Sequence, residues 1–171
     1  AAALKAVSDA GIETVVLTAR SDRESDNLKG VTVLDSLSTL SPEQKRGLVV
    51  GSNRGARMLV FDKKGEARLL SQAPAWTEAE RVAIKSAADV VRARYGEAAF
   101  EGKVGELTDW AYSYYLPVGT SAEDVKAAAA FLQSELAKRG VELEVSGRTA
   151  FNPANPSYLV LAKIDKSYGV K

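Results

Sequence analysis

The sequence predicts an α/β protein made of part of an α/β core and an inserted α+β lobe whose antiparallel sheet carries helices on one face. Three observations predict it. A helical stretch from Ala1 to Ala10, then Gly11, then the β-branched run Ile12 to Leu17 make half of a parallel α/β repeat. Beyond Ala73-Pro74-Ala75 the pattern changes to helix, strands, helix, strands. At Tyr158 an apolar strand starts the way back. The expected division is residues 1–73 for the core, 74–157 for the inserted lobe and 158–171 for the return to the core.

The elements follow in order. In the first helix Ala3, Leu4 and Val7 share one side, and Gly11 suits its end. Neither a Met nor a capping residue precedes it, so the sequence reads as starting inside a helix. Thr18-Ala19-Arg20-Ser21 falls at the carboxyl end of the first strand, where open α/β sheets place ligands. Asp22 to Asn27 reads as loop or short helix, Val31 to Leu34 and Leu48 to Val50 as short strands, and Asn53 to Ala56 as a turn. Arg57 to Asp62 and Ala67 to Leu70 form a hairpin whose tip is Lys63-Lys64-Gly65.

In the inserted lobe, Thr77 and Glu80 make a capping box for a helix that runs to Tyr95 and stops at Gly96. Its expected apolar stripe is Ala79, Ala83, Ala87, Val90 and Val91. Phe100 to Val104 and Trp110 to Leu116 read as strands, with Tyr112, Tyr114 and Leu116 on one face. Ser121 caps a helix running to Arg139, and Gly140 ends it; Val125, Ala128, Ala129, Leu132 and Leu136 form its stripe. Val141 to Val145 alternates apolar and charged residues, the pattern of a half-exposed strand. Asn152 to Pro156 is a loop before the strand Tyr158 to Ala162, and Ile164 to Lys171 begins a new helix.

Composition narrows the chemistry. The net charge of +1 gives no bulk electrostatic case for nucleic acid or an anionic membrane. No segment has the apolar length of a membrane span, and Ala1 to Ala6 has no signal-peptide pattern. Cysteine is absent, which excludes disulfides, thiolate metal sites and a cysteine nucleophile and fits a cytoplasmic protein. Histidine is also absent, so a Ser-His-Asp triad, a His-ligated zinc and a His base are excluded. What remains is carboxylates, Lys, Arg, hydroxyls and backbone groups, with an oxygen-bound cation such as Mg²⁺.

Three segments resemble the haloacid-dehalogenase (HAD) superfamily of phosphatases, in the order and spacing of members with a large C2-type cap. Gly11 to Arg20 is similar to the second motif, a buried strand ending in Thr or Ser before a small residue and Arg. Gly51-Ser52-Asn53-Arg54-Gly55-Ala56 resembles the turn before the hairpin that leads to the cap. Ala162 to Lys171 resembles the third motif, in which a Lys precedes a helix. Phe100-Glu101-Gly102-Lys103, Tyr112 to Leu116 and Ser146-Gly147-Arg148 are similar to cap strands of trehalose-phosphate, sucrose-phosphate and mannosyl-phosphoglycerate phosphatases. The resemblance implies a partial Rossmann-like HAD core with an inserted cap. It also implies Mg²⁺-dependent hydrolysis of a sugar phosphate or similar small phosphate ester through an aspartyl-phosphate. No Asp-x-Asp, the family's first motif, occurs in these residues, nor does the acidic fourth motif. The expectation is a fragment, inactive alone and holding no metal ligands of its own.

Residue by residue, the resemblance implies that Thr18 donates its hydroxyl and its backbone N–H to a phosphate oxygen and that Lys166 acts as a point charge beside it. Thr18 also fits an ordinary strand end, and Lys166 a solvated Lys in the first turn of a helix; Lys163 is its competitor. Arg20, Asn53, Lys103 and Arg148 are candidates for substrate binding, with Glu101 and Asn152 beside them. Charged residues on loops and strand edges more often simply face water, and Asn53 fits a turn residue. Trp76 and Trp110 are expected in the core or at the junction of the lobes rather than as ligand platforms. The competing reading is a non-catalytic, cap-derived module for binding or protein interaction. A nucleotide-binding α/β domain ranks below both, because no Gly-x-Gly-x-x-Gly or P-loop follows a strand. If these residues are the whole polypeptide, unpaired sheet edges invite pairing into a homo-oligomer.

Overall fold

Val15–Leu17 form strand β1, which pairs in parallel with β2, Val49–Ser52, from Val15↔Val49 to Leu17↔Gly51. The computed structural model describes residues 6, 7, 10, 14–23, 31–100, 102 and 104–164. The expected helix over 1–10 and the segment 165–171 lie largely or wholly outside them.

A parallel pair needs a crossover, and its described part contains two one-turn helices, α1 (Val33–Ser36) and α2 (Pro42–Lys45). Val31 to Leu34 was expected as a strand. The local chemistry decides otherwise: Thr32 accepts from the Asp35 amide at 3.1 Å, and Asp35 accepts from the Thr32 amide at 2.6 Å. This reciprocal capping box outweighs the β-branched pair it encloses. Helix α2, which the sequence reading passed over, has the same signature in Ser41 and Gln44, with Pro42 in its first turn.

Strands β3 (Arg57–Phe61) and β4 (Ala67–Gln72) complete an antiparallel hairpin, giving the order β1-β2-β3-β4. Val33, Leu37, Leu40, Leu48, Val50, Leu59 and Phe61 form the core beneath this sheet.

The second sheet has the order β5-β6-β8-β7, all antiparallel: β5 is Glu106–Leu107, β6 Ala111–Tyr115, β7 Val145–Arg148 and β8 Tyr158–Ala162. Helices α3 (Glu78–Tyr95) and α4 (Ala122–Ala137) cover one face of it. Tyr112, Tyr114 and Leu116 point into the core, as the alternation predicts, with Leu159 and Leu161 beside them. The α4 stripe is buried as expected at Val125, Ala128, Ala129, Leu132 and Leu136. In α3 the stripe is rotated: Ala83, Ile84, Ala87, Ala88 and Val91 are buried and Ala79 is exposed. Gly147 lets α4 approach β7, since a Cβ there would lie 2.8 Å from Val125 Cγ1 and 3.1 Å from the Val125 carbonyl. Trp76 and Trp110 are buried.

Three boundaries differ from expectation. Phe100 makes only an isolated bridge, and the paired strand starts at Glu106. Val141 to Glu144 alternates in exposure but pairs with no strand; the ladder begins at Val145. Strand β8 does not return to the first sheet. It sits between β6 and β7, so the two units are Ala1–Pro74 with Ile164–Lys171, and Ala75–Lys163.

Truncating a fully buried leucine removes its transfer free energy and leaves a cavity. Leu132→Ala should therefore destabilise the second unit by about 3 kcal/mol in a urea titration. Val118→Ala, at an exposed position, should change stability by less than about 0.5 kcal/mol.

Candidate functional site

The segment after β1 is held from three sides. Thr18 N–H donates to the Gly51 carbonyl at 2.9 Å, extending the β1–β2 ladder by one residue. Gly51 has no room for a side chain: a Cβ would meet Leu17 Cδ2 at 2.4 Å. Just past β2 the chain makes a left-handed turn, with φ of 49° at Asn53, 62° at Arg54 and 89° at Gly55. Its amides point back at the loop: Asn53 N–H donates to Arg20 O at 3.1 Å and Arg54 N–H to Thr18 O at 2.8 Å. On the third side, Val33 N–H donates to Ser21 O at 2.9 Å.

Side chains complete the clasp. Asp22, its side chain 6% exposed, accepts Ser52 Oγ–H at 2.6 Å and receives Arg57 Nε at 3.0 Å on both carboxylate oxygens. Arg57 also bonds Gln72, its partner in the β3–β4 register. Asn53 Nδ2 donates to Ser21 Oγ at 3.1 Å. None of this network is local in sequence.

The expected site residues fall out as follows. Thr18 is partly exposed at the end of β1, and its Oγ accepts the Arg20 amide at 3.1 Å. A hydroxyl that accepts in this way keeps its own proton for donation to an anion. The Thr18 N–H, expected to serve a phosphate too, is committed to Gly51 O, so the hydroxyl is the group available. Arg20 is exposed, and its Nη1 donates to Ser36 Oγ at 3.1 Å, tying the loop to α1. Asn53 is a turn residue whose side-chain amide braces Ser21. Lys103, Glu101 and Lys166 lie outside the described residues. Lys163, the competitor of Lys166, donates to Glu80 Oε2 at 2.6 Å and to Ala75 O at 2.9 Å, and its ammonium lies 5.3 Å from the Trp76 ring centroid. That is a structural post within the second unit.

Arg148 is exposed at the end of β7. It lies in register with Tyr158 of β8, which is itself in register with Tyr115 of β6, so the three residues share a row on the sheet face away from the helices. Next to that row, Phe100, Tyr115, Phe151, Tyr158, Asn152 and Asn155 line a pocket of about 470 Å³. Of these, only Asn152 was singled out from sequence. Tyr115 and Tyr158 are far apart in the chain and meet through strand pairing.

A Mg²⁺ site does not fit the described residues. No group of three or more Asp or Glu side chains comes together among them. Asp22, the carboxylate nearest Thr18 in sequence, is already engaged by Ser52 and Arg57. No helix among the described residues is long and apolar enough to cross a membrane.

No family model matches the chain, and no curated protein matches it in sequence. Solved structures do resemble it. Plasmodium falciparum IMP-nucleotidase superimposes with a TM-score of 0.64 at 9% identity, over 98% of this chain and 48% of that one. Its ATP-bound form gives 0.63 at 10% identity, over 99% and 43%. An IMP-bound mutant gives 0.63 at 9%, over 98% and 48%. The likeness is one of fold: the chain shares the α/β fold of these structures. The chain spans about half the length of these neighbours; its first unit holds the parallel and hairpin strands and its second the antiparallel sheet with two helices.

Two outcomes follow from this geometry. Asp22→Asn leaves the Arg57 guanidinium without its carboxylate and should cost the core unit about 3 kcal/mol, read as an earlier denaturant midpoint and faster amide exchange at Asn53 and Arg54. In the second unit, burial pushes the Glu80 carboxyl up, but the bonds from Lys163 and Thr77 outweigh it and hold the group below its ordinary value. Its stabilisation is therefore complete above the unfolded carboxylate value and is lost as pH falls through the folded one. Glu80→Gln should flatten that acid limb of a stability-against-pH profile.

Proposed function

We propose that this chain works within a phosphoric monoester hydrolase of the HAD type, acting on a sugar phosphate or a similar small phosphorylated metabolite. The observation that carries the reading is the clasped strand-end loop, in which Thr18 keeps a donor hydroxyl at the carboxyl end of β1. The likeness of the whole chain to IMP-nucleotidase supports it at the level of fold. The resemblance of the cap strands to sugar-phosphate phosphatases favours a sugar phosphate.

In this reading the Thr18 hydroxyl donates to a non-bridging phosphoryl oxygen. A preorganised donor of this kind acts where charge is greatest. Lys166 supplies a compact positive charge to the same group. An aspartate attacks phosphorus, the ester oxygen leaves as the alcohol, and water hydrolyses the aspartyl-phosphate. That aspartate is not present in Asp-x-Asp form among these residues. Mg²⁺, when bound in such enzymes, offsets phosphoryl charge, and the described residues hold no site for it.

The aromatic pocket of the second unit suits a second reading, a cap-derived binding or protein-interaction module without turnover. One assay separates the two. Phosphate release from a panel of phosphate esters is measured with the longest polypeptide that the gene encodes. Thr18→Ala and Lys166→Ala should each lower kcat by about a hundredfold, while Thr18→Ser keeps most of it. Unchanged turnover in both alanine variants sinks the hydrolase reading, and no release from any ester favours the second.

A further inference from the structure

The aromatic pocket of the cap sheet is a built cavity. Its floor is the face that the helices leave bare: Phe100 and Tyr115 have ring centroids 5.4 Å apart at 42°, and Tyr115 and Tyr158 6.4 Å apart at 56°. Its wall is the β7–β8 loop, which is fixed at its base. Ala150 N–H donates to Oγ of the buried Ser157 at 3.1 Å, and Ser157 O accepts the Leu116 amide at 2.8 Å. Higher up, Asn152 Oδ1 accepts the Ala154 N–H at 3.0 Å, and Asn152 O accepts the Asn155 N–H at 2.9 Å. The first of these bonds orients the Asn152 side chain and leaves its NH₂ to donate.

One residue has no structural reason to be apolar. Phe151, on the same loop, has a relative exposure of 105%. A lone exposed aromatic needs no explanation, but this one lines the cavity together with three other rings and two amides. Among the described residues, none that lines the cavity is charged; Arg148 stands outside, one strand away.

These features define an occupant. The volume of about 470 Å³ lies within the small-molecule range and is too small for a folded partner element. The described lining offers polar and aromatic groups but no counter-charge, so it suits an uncharged group better than a phosphate or carboxylate. Aromatic faces favour a flat or flat-faced ring, and amides at fixed positions suit an edge of hydroxyl, carbonyl or N–H groups. We infer that this pocket binds an uncharged ring with hydrogen-bonding groups on its edge, the sugar or base portion of a small metabolite.

The test needs no turnover, so it stands or falls apart from the hydrolase reading. The 171-residue chain is titrated with methyl α-D-glucopyranoside and, separately, with inosine, and the aromatic side-chain NMR signals are followed. Inorganic phosphate is the control. At least one of the two ring compounds should shift the Phe151 and Tyr158 signals, and phosphate should not. The compound that binds more tightly identifies the source, sugar or base. Phe151→Ser, fully exposed and harmless to folding, and Tyr158→Leu should each weaken binding by about tenfold with thermal unfolding unchanged. The inference is overturned if neither compound shifts these signals, or if both variants bind as well as the parent chain. It is also overturned if the signals move with protein concentration alone, which would assign the face to a second copy of the chain.

Discussion

Two backbone amides, those of Asn53 and Arg54, determine the shape of the loop after β1. They reach the Arg20 and Thr18 carbonyls only because the chain turns left-handed at both residues and at Gly55. Left-handed backbone at Asn53 and Arg54 costs on the order of 1 kcal/mol each. Two hydrogen bonds of about 1 kcal/mol each offset that only just. The surplus comes from Asp22, whose carboxylate is bonded by Ser52 and Arg57 where little water competes. A loop that β1 alone would leave loose thus becomes a fixed platform, and Thr18 inherits its position from it.

The second unit is stabilised in another way. Its sheet has two unlike faces. One is sealed by α3 and α4 through a continuous apolar core, with Gly147 allowing α4 close to β7. The other is left to polar and aromatic side chains and a stapled loop. Burial of one face supplies the stability, which leaves the other free of packing duties. Antiparallel sheets tolerate this division, whereas parallel ones do not.

What the sequence made legible was local. The α4 stripe and its Ser121 cap were read residue for residue, because the 3.6-residue period and the cap lie within a single segment. The strand-end position of Thr18 was legible for the same reason. Val31 to Leu34 was misread because two valines count toward a strand, while the Thr32–Asp35 box that overrules them was not weighed. The Asp22–Ser52–Arg57 clasp and the aromatic pocket were invisible, since each joins strand and loop residues that only the folded chain brings together. The placement of β8 failed similarly: an apolar run says that a strand is buried, not which sheet buries it.

The bond from Lys163 Nζ to Ala75 O has a consequence for the history of the chain. It fastens the first residue of the second unit to its last. A segment whose two ends lie side by side can be spliced into a surface turn of another fold without prying that turn apart. It can equally be lifted out and the gap closed by a short linker. The second unit has the geometry of a transplantable cassette, carrying its aromatic pocket with it.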